Sequence, residues 1–273
     1  MIGFPKVSVI ITTKNEEKNI LNCIQSIESQ SYPADNVELI VVDNNSSDKT
    51  KEIAKRFTDK VYNFGPERAA QRNLGIKESS GEYILYLDAD MILSKNLIEE
   101  SVSLSQKEGF FALYVPEKII GEGFWIKVRD FERSFYNATC IDAVRFGKKD
   151  KFLEIGGFDE NLNGPEDWDF NRRISAIGKT GITGSVLFHN ESSFNLKLYL
   201  NKKEYYSNSF QRYAEKWGKG DKIVKKQLGF WYRYFGVFME NGKWKRFLRH
   251  PILALNMYFL RIMVGIVFLK ERR

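Results

Sequence analysis

The chain has 273 residues, of which 43% are hydrophobic and 28% charged, a balance typical of a folded protein and not of a disordered one. Its two cysteines, Cys23 and Cys140, lack CxxC spacing, which excludes a disulfide framework and a cysteine-rich zinc site. The net charge of +7 is unevenly divided, because residues 195–273 hold 18 Lys and Arg against 5 Asp and Glu. The basic C-terminal part is therefore expected to meet a different partner from the acidic remainder, with nucleic acid and anionic lipid as the two candidates.

Apolar strands alternate with helical patterns in the first part of the chain. Apolar runs at 7–12, 37–42 and 83–87 predict buried strands, and a weaker strand at 60–63 precedes a helix predicted over 67–78. This alternation predicts an α/β fold with an open, mainly parallel sheet and helices on both faces. Polar clusters follow three of these strands, at 13–16, 43–45 and 88–90. In such sheets ligands bind at the carboxyl ends of the strands, so a site is expected there.

The pattern becomes irregular and aromatic from 110 to 144. A last strand-like piece at 184–188 ends at His189, and helical patterns dominate from there to the end of the chain. We therefore expect a catalytic domain over 1–194 and a basic, aromatic, helical extension over 195–273.

Two carboxylates, Asp88 and Asp90, follow the strand at 83–87 and lie on the same side of an extended backbone. Close like charges are costly unless a cation joins them. Mg²⁺ or Mn²⁺, which prefer oxygen ligands, together with the phosphates of a nucleotide would provide that cation. Asp43, after the second strand, either accepts hydrogen bonds from a ribose or a base or forms a simple Asx turn, and its local sequence fits both equally.

An acidic helix start follows the Gly-Pro turn at 164–165. Its carboxylates complement the helix dipole, which is one interpretation. The other is that Asp167 is a general base that deprotonates an acceptor hydroxyl. A lone histidine such as His189 is more often structural than a ligand, yet it is a candidate third contact to a metal or a diphosphate.

Six separate pieces of the sequence resemble the family 2 glycosyltransferases of GT-A fold, over about residues 5–190. They are VSVIITTKNE (7–16), VVDNNSSDKT (41–50), RNLG (72–75), LDAD (87–90), GGFD (156–159) and ED (166–167). Thr12 departs from the resemblance, since a proline is usual at that position.

The resemblance implies a role for each matching residue. Thr13, Glu16 and Asp43 would hold the nucleoside, Asp88 and Asp90 would hold the metal and the donor, and Asp167 would be the catalytic base. His189 lies outside the six matching pieces, and its place as a metal ligand beside Asp90 is our own expectation. The acceptor side would include Gly157, Phe158, Asp159, Glu166 and Trp168. A basic residue often lies near the donor phosphates in this family, and Arg68 and Arg72 are the candidates.

The predicted activity is that of an inverting, hexosyltransferase-type glycosyltransferase that uses a nucleotide-diphosphate sugar and Mn²⁺ or Mg²⁺. The acceptor is expected to be a lipid-linked compound or a saccharide. One alternative is a sugar-phosphate nucleotidyltransferase. Such an enzyme is expected to have a glycine-rich phosphate-binding loop after the first strand, but residues 12–16 contain no glycine. The other rival is a non-catalytic, nucleotide-binding membrane scaffold.

The C-terminal segment includes an apolar stretch at 252–269, interrupted by Asn256 and Arg261 and flanked by basic residues. A helix of this length spans about 27 Å, which is marginal for a hydrocarbon core of about 30 Å. Attachment to a membrane surface is therefore favoured over a spanning helix or a helix that packs in a homo-oligomer. No RNA-recognition signature accompanies the basic and aromatic residues, so nucleic acid is not expected as a partner. Because no signal peptide is visible, we expect the cytoplasmic side of the cell membrane, with peripheral or single-anchor attachment.

Overall fold

The computed structural model describes residues 3–271, and among them all side chains except those of residues 193, 207–208, 241 and 268–271. The chain forms two compact units. The first comprises the chain up to Glu117, Ala143–Glu160 and Glu166–Asn190, and the second comprises Lys118–Asp142, Asn161–Pro165 and the chain from Glu191 onward. The domain boundary expected at residue 194 stays a prediction.

Ten strands are present in the described part of the chain. They are β1 Val7–Thr13, β2 Val37–Asp43, β3 Val61–Asn63, β4 Tyr83–Asp88, β5 Met91–Leu93, β6 Ala112–Tyr114, β7 Glu117–Glu122, β8 Val144–Lys148, β9 Thr180–Ile182 and β10 Leu187–Ser193. Seven of them form one sheet in the order β3-β2-β1-β4-β8-β6-β9, in which only β8 runs antiparallel to its neighbours. A three-stranded sheet has the order β5-β10-β7. The mainly parallel sheet predicted from the sequence is confirmed.

Six helices cover the large sheet in the first unit. They are α1 Ile20–Glu28, α2 Thr50–Ala54, α3 Arg68–Glu78, α4 Leu97–Glu108, α6 Lys149–Glu154 and α7 Glu166–Ile177, with α5 Phe124–Arg133 belonging to the second unit. On one face α1 and α4 pack against β1 residues such as Val9 and Ile11. On the other face α3, α6 and α7 pack against Ile10 and the neighbouring strands. Burial on both faces explains why the central strands are continuously apolar.

The second unit is mainly helical, as expected for the C-terminal extension. Besides α5 it contains α8 Leu196–Trp217, α9 Lys222–Leu228, α10 Val237–Met239, α11 Lys245–Arg249 and α12 Pro251–Glu271. The side chain of Asn195 caps α8 by accepting a hydrogen bond from the Leu198 amide, and Asp221 caps α9 in the same manner. None of the helices in residues 3–271 is both long and apolar enough to cross a bilayer.

Two expectations about local structure are corrected. The last strand does not end at His189, because β10 runs from Leu187 to Ser193 and pairs His189 with Met91 of β5. The segment from 110 to 144 is more regular than its pattern indicates, since it contains β6, β7 and α5. In both places pairing with a distant strand or burial of one helix face imposes structure that the local sequence pattern does not show.

Candidate functional site

Parallel pairing brings the predicted polar clusters to one edge of the sheet. β1 pairs Thr13 with Asp43 of β2 and Thr12 with Asp88 of β4. Thr13 Oγ1, Asp43 Oδ2 and Asp90 Oδ1 are all buried and have no hydrogen-bond partner among the described residues. Unpaired buried polar atoms are rare in folded proteins because each one loses its contacts with water. Three of them at neighbouring strand ends therefore indicate a site for a polar ligand.

The Asx turn at Asp43 is present, and nucleoside contact by Asp43 stays a prediction. Its Oδ1 accepts a hydrogen bond of 2.8 Å from the Ser46 amide, which is the Asx turn, and lies 3.9 Å from Lys51 Nζ. Its Oδ2 has no such partner within residues 3–271. The turn therefore fixes the carboxylate while one oxygen stays available to a donor group such as a ribose hydroxyl.

The fully buried guanidinium of Arg72 lies at the centre of an ion-pair network. Its Nη1 is 2.9 Å from Asp167 Oδ1, and its Nη2 is 3.3 Å from Asp88 Oδ1. The plane of the guanidinium also lies 4.8 Å from the ring centre of Tyr86 and 5.2 Å from that of Phe158. Burial lowers the pKa of Arg72, but the charges of Asp167 and Asp88 outweigh it and raise the pKa above its usual value. Arg72 therefore joins the predicted donor site to the predicted base.

Arg68, on the preceding turn of α3, is partly exposed and shares Asp88 with Arg72. It lies 3.5 Å from Asp88 Oδ2 and 3.5 Å from Glu166 Oε1. Burial raises the pKa of Asp88, but Arg68, Arg72 and Arg145 together hold it well below the usual range. Burial and the neighbouring charge of Asp167 raise the pKa of Glu166. Of the two predicted phosphate ligands, only Arg68 presents a guanidinium to solvent, and the donor role of Arg72 stays a prediction.

The predicted metal ligands Asp90 and His189 are brought together by the pairing of β5 with β10. His189 Nε2 is 3.0 Å from Asp90 Oδ2, and His189 Nδ1 is 3.9 Å from Glu117 Oε2. Burial lowers the pKa of His189, but Asp90 and Glu117 more than reverse this and raise it to about 10. Within the described residues, no group of three or more His, Cys, Asp or Glu side chains is arranged to hold a metal ion.

One functional candidate, Arg145, was missed in the sequence. Arg145 of β8 is buried, pairs with Glu117 Oε1 at 2.8 Å, and lies 5.5 Å from the ring centre of Tyr86. Its Nη1 is buried and has no hydrogen-bond partner in the part of the chain that the structure describes. An arginine between the apolar residues Val144 and Phe146 was the available signal, but the strand itself was not predicted.

The residues predicted for the acceptor side are placed differently from one another. Gly157 adopts a left-handed φ of 68°, and its neighbour Phe158 is buried and stacks on Phe170 at 4.1 Å between ring centres. Asp159 and Trp168 are partly exposed. Acceptor contact by any of them stays a prediction, and so does nucleoside contact by Glu16, whose Oε2 accepts a hydrogen bond from Asn19.

The profile of glycosyl transferase family 2 matches residues 8–159, which is more than half of the chain. The chain belongs to this family. The glycosyltransferase AglE of Haloferax volcanii is 41% identical over 106 residues, covering 36% of this chain and 35% of its own length. The beta-monoglucosyldiacylglycerol synthase of Trichormus variabilis is 24% identical over 263 residues, covering 83% of this chain and 53% of its own length. The chain thus spans about a third to a half of these curated relatives.

A solved structure shows the same fold. The mannosyltransferase PcManGT from Pyrobaculum calidifontis, in complex with GDP-Man and Mn²⁺, has a TM-score of 0.67 at 19% identity. The match covers 100% of this chain and 89% of that one. The GT-A fold expected from the sequence is confirmed.

We predict that Arg72→Met lowers the free energy of unfolding by about 3–5 kcal/mol, because it leaves Asp88 and Asp167 without their buried counter-charge. Arg68→Met is the matched control, and its partly exposed ion pairs predict a loss of about 1 kcal/mol or less. Denaturant unfolding measures both values. Equal losses in the two variants would contradict the central position of Arg72.

Proposed function

We propose that the chain catalyses an inverting transfer of a sugar from a nucleotide-diphosphate sugar to a hydroxyl or phosphate of an acceptor. The observation that carries the proposal is the Arg72 guanidinium, which contacts Asp88 and Asp167 at once. A general base acts only when it lies within reach of the group that attacks the bound donor. Family membership favours this activity over the nucleotidyltransferase alternative.

Asp167 is the proposed base. It lies in the first turn of α7 with its side chain partly exposed, so an acceptor can reach it. Arg72 fixes Oδ1, which leaves Oδ2 to accept the proton of the attacking hydroxyl. A single base opposite the leaving group is what an inverting transfer requires. NMR of the product tests this assignment. The anomeric configuration of the transferred sugar should be opposite to that of the same sugar in the donor.

The nucleoside part of the donor is proposed to bind at Thr13 and Asp43, whose unpaired buried oxygens accept or donate hydrogen bonds there. Arg68, with its partly exposed guanidinium, is proposed to contact the diphosphate. Asp88 orients Arg68 and Arg72 towards this region.

Asp90 is proposed to hold a Mn²⁺ or Mg²⁺ ion, with His189 as a second ligand if the ion displaces the proton between His189 Nε2 and Asp90 Oδ2. The Oδ1 atom of Asp90 is buried without a hydrogen-bond partner among the described residues, and a hard cation is a suitable partner for it. Two protein ligands are enough when the phosphates of the donor complete the coordination. When bound, the ion would neutralise charge that develops on the departing diphosphate.

We predict that Asp167→Asn lowers kcat by about 10²–10⁴-fold, because the amide does not take up a proton. Binding of the nucleotide sugar should change little, since the amide oxygen still accepts the Arg72 hydrogen bond. Asp150→Asn, an exposed change on α6, is the control and should keep full activity. Unchanged turnover in Asp167→Asn would show that this residue is not the base. If the wild-type chain binds nucleotide sugars but does not turn them over, the non-catalytic scaffold is favoured instead.

For the metal, we predict that Asp90→Asn weakens Mn²⁺ binding by at least about tenfold in the presence of a nucleotide sugar. Electron paramagnetic resonance of free Mn²⁺ measures the affinity directly. Asp150→Asn again serves as the control. Full turnover of the wild-type chain in excess EDTA would contradict metal dependence.

A lipid-linked acceptor and attachment to a membrane surface are further parts of the proposal. The outer face of α12 carries an exposed apolar stripe that repeats every three or four residues, namely Ile252, Leu255, Phe259, Ile262 and Ile266. Basic residues such as Arg246 and Arg249 precede it on α11. An exposed apolar helix face beside cations is typical of a helix that lies in the lipid interface. A relative whose name describes the synthesis of a glycosylated diacylglycerol is consistent with this acceptor class.

We predict that the double variant Leu255→Glu with Ile262→Glu lowers binding to phosphatidylglycerol vesicles by about tenfold or more, because it places charge where acyl chains would lie. Co-sedimentation with vesicles measures the partition. Leu153→Glu, at a similarly exposed leucine of α6, is the control. Equal binding of all three proteins would refute attachment through α12.

A further inference from the structure

A group of six charged side chains in the second unit, here called the cationic cluster, has no role in the proposed transfer. It consists of Arg129, Glu132, Glu191, Lys203, Arg233 and Arg261. Four of these side chains are cations and two are carboxylates. The side chain of Glu132 is 5% exposed and that of Arg261 is 6% exposed, so much of this charge lies away from water.

Both carboxylates are already engaged with two of the arginines. Glu132 contacts Arg129 at 2.7 Å and Arg261 at 2.8 Å, and it accepts a hydrogen bond of 2.5 Å from Tyr136. Glu191 contacts the other side of Arg129 at 3.1 Å. Arg129, Arg261 and Lys203 therefore supply three positive charges against the two negative charges of Glu132 and Glu191.

Lys203 is the cation without a counter-ion. It makes no hydrogen bond or ion pair with any described residue, and its Nζ lies 5.4 Å from the ring centre of Tyr199. Arg129 lies on the same ring at 4.7 Å. Burial and the like charge of Arg129 lower the pKa of Lys203 to about 7, and the opposing charge of Glu132 offsets only part of this effect. The Nε atom of Arg261 is also buried without a partner in residues 3–271.

We propose that the cationic cluster is a second anion site, separate from the donor site, which binds a phosphate or diphosphate group. Unbalanced buried charge is costly, and an anion seated among these cations offsets that cost. Guanidinium groups match phosphate oxygens with two parallel hydrogen bonds, and a lysine adds a compact charge. Lys203 and Arg233 are partly exposed, so an anion can reach them from solvent.

The phosphate has two chemical sources, a lipid-linked phosphate and a free phosphate or diphosphate. α12 carries Arg261 on its inner face and the apolar stripe on its outer face. A molecule with a phosphate head and an isoprenoid or acyl tail would contact both kinds of surface. This choice of source rests on the proposed function, whereas the anion site itself does not.

Isothermal titration of the full chain with inorganic pyrophosphate, and separately with farnesyl phosphate and uncharged farnesol, tests the site. EDTA is present throughout to suppress metal-dependent binding at the donor site. Lys203→Gln should weaken pyrophosphate binding by about tenfold, because one charge-assisted contact is lost. Lys202→Gln removes the same net charge from an exposed neighbouring position and should leave binding unchanged.

Glu191→Gln supplies a change in the opposite direction. It removes a carboxylate beside Arg129, so pyrophosphate should bind more tightly than to the wild-type chain. Tighter binding of farnesyl phosphate than of pyrophosphate, with none of farnesol, identifies a lipid-linked phosphate. Binding of pyrophosphate alone identifies a free anion.

Equal affinities in wild type, Lys203→Gln and Glu191→Gln would overturn the site, as would the absence of any phosphate binding. Donor turnover is measured in parallel on the same proteins with Mn²⁺. Turnover without phosphate binding would refute the anion site and leave the proposed transfer intact. Phosphate binding that depends on Lys203, without turnover, would refute the proposed transfer and leave the anion site intact.

Discussion

The arrangement of the site depends on one buried guanidinium. Arg72 holds Asp88, at the end of a central strand, and Asp167, at the start of a helix that is distant in sequence. Two carboxylates near each other repel, and the cation between them offsets that repulsion and holds both in place. Burial makes the contact strong because little water screens it. The donor edge of the sheet and the proposed base are therefore positioned by the same interaction.

The position of Arg72 is itself a consequence of how α3 lies on the sheet. Gly75, one turn further along, packs so closely on Ile10 that a side chain at this position would overlap it. Gln71 donates hydrogen bonds to the carbonyl oxygens of Thr13 and Val42, which end two neighbouring strands. A helix that approaches the sheet this closely buries Arg72 beside the carboxylates.

The sheet and its polar edge were predictable because their signals are local. Continuous apolar runs that end in acidic or amide residues indicate buried parallel strands and a site at their ends, and Asp43, Asp88 and Asp90 lie there. The side of α3 on which Arg72 lies was not predictable. An arginine in the middle of a helix is equally compatible with solvent, and only packing against Tyr86 and Phe158 shows otherwise.

Contacts between residues far apart in sequence explain what the sequence did not reveal. Glu117 and His189 are brought together by strand pairing, and Glu132 meets Arg261 through the packing of two helices, α5 and α12. Neither pair has a local motif, and β6, with three residues, is too short for its pattern to be recognised. The resemblance to the family covered only the first unit in detail, so the charges of the second unit had no template.

Helix α3 has a consequence for redesign of the chain. Within one short element Arg68 faces the acids, Gln71 joins two strand ends, Arg72 bridges to α7, and Asn73 accepts the amide hydrogen of Phe158. These neighbours are rigidly coupled, so exchanging one of them alone disturbs the register of the others. A redesign intended to alter donor preference would have to replace the whole of α3 together with Ile10, on which it packs.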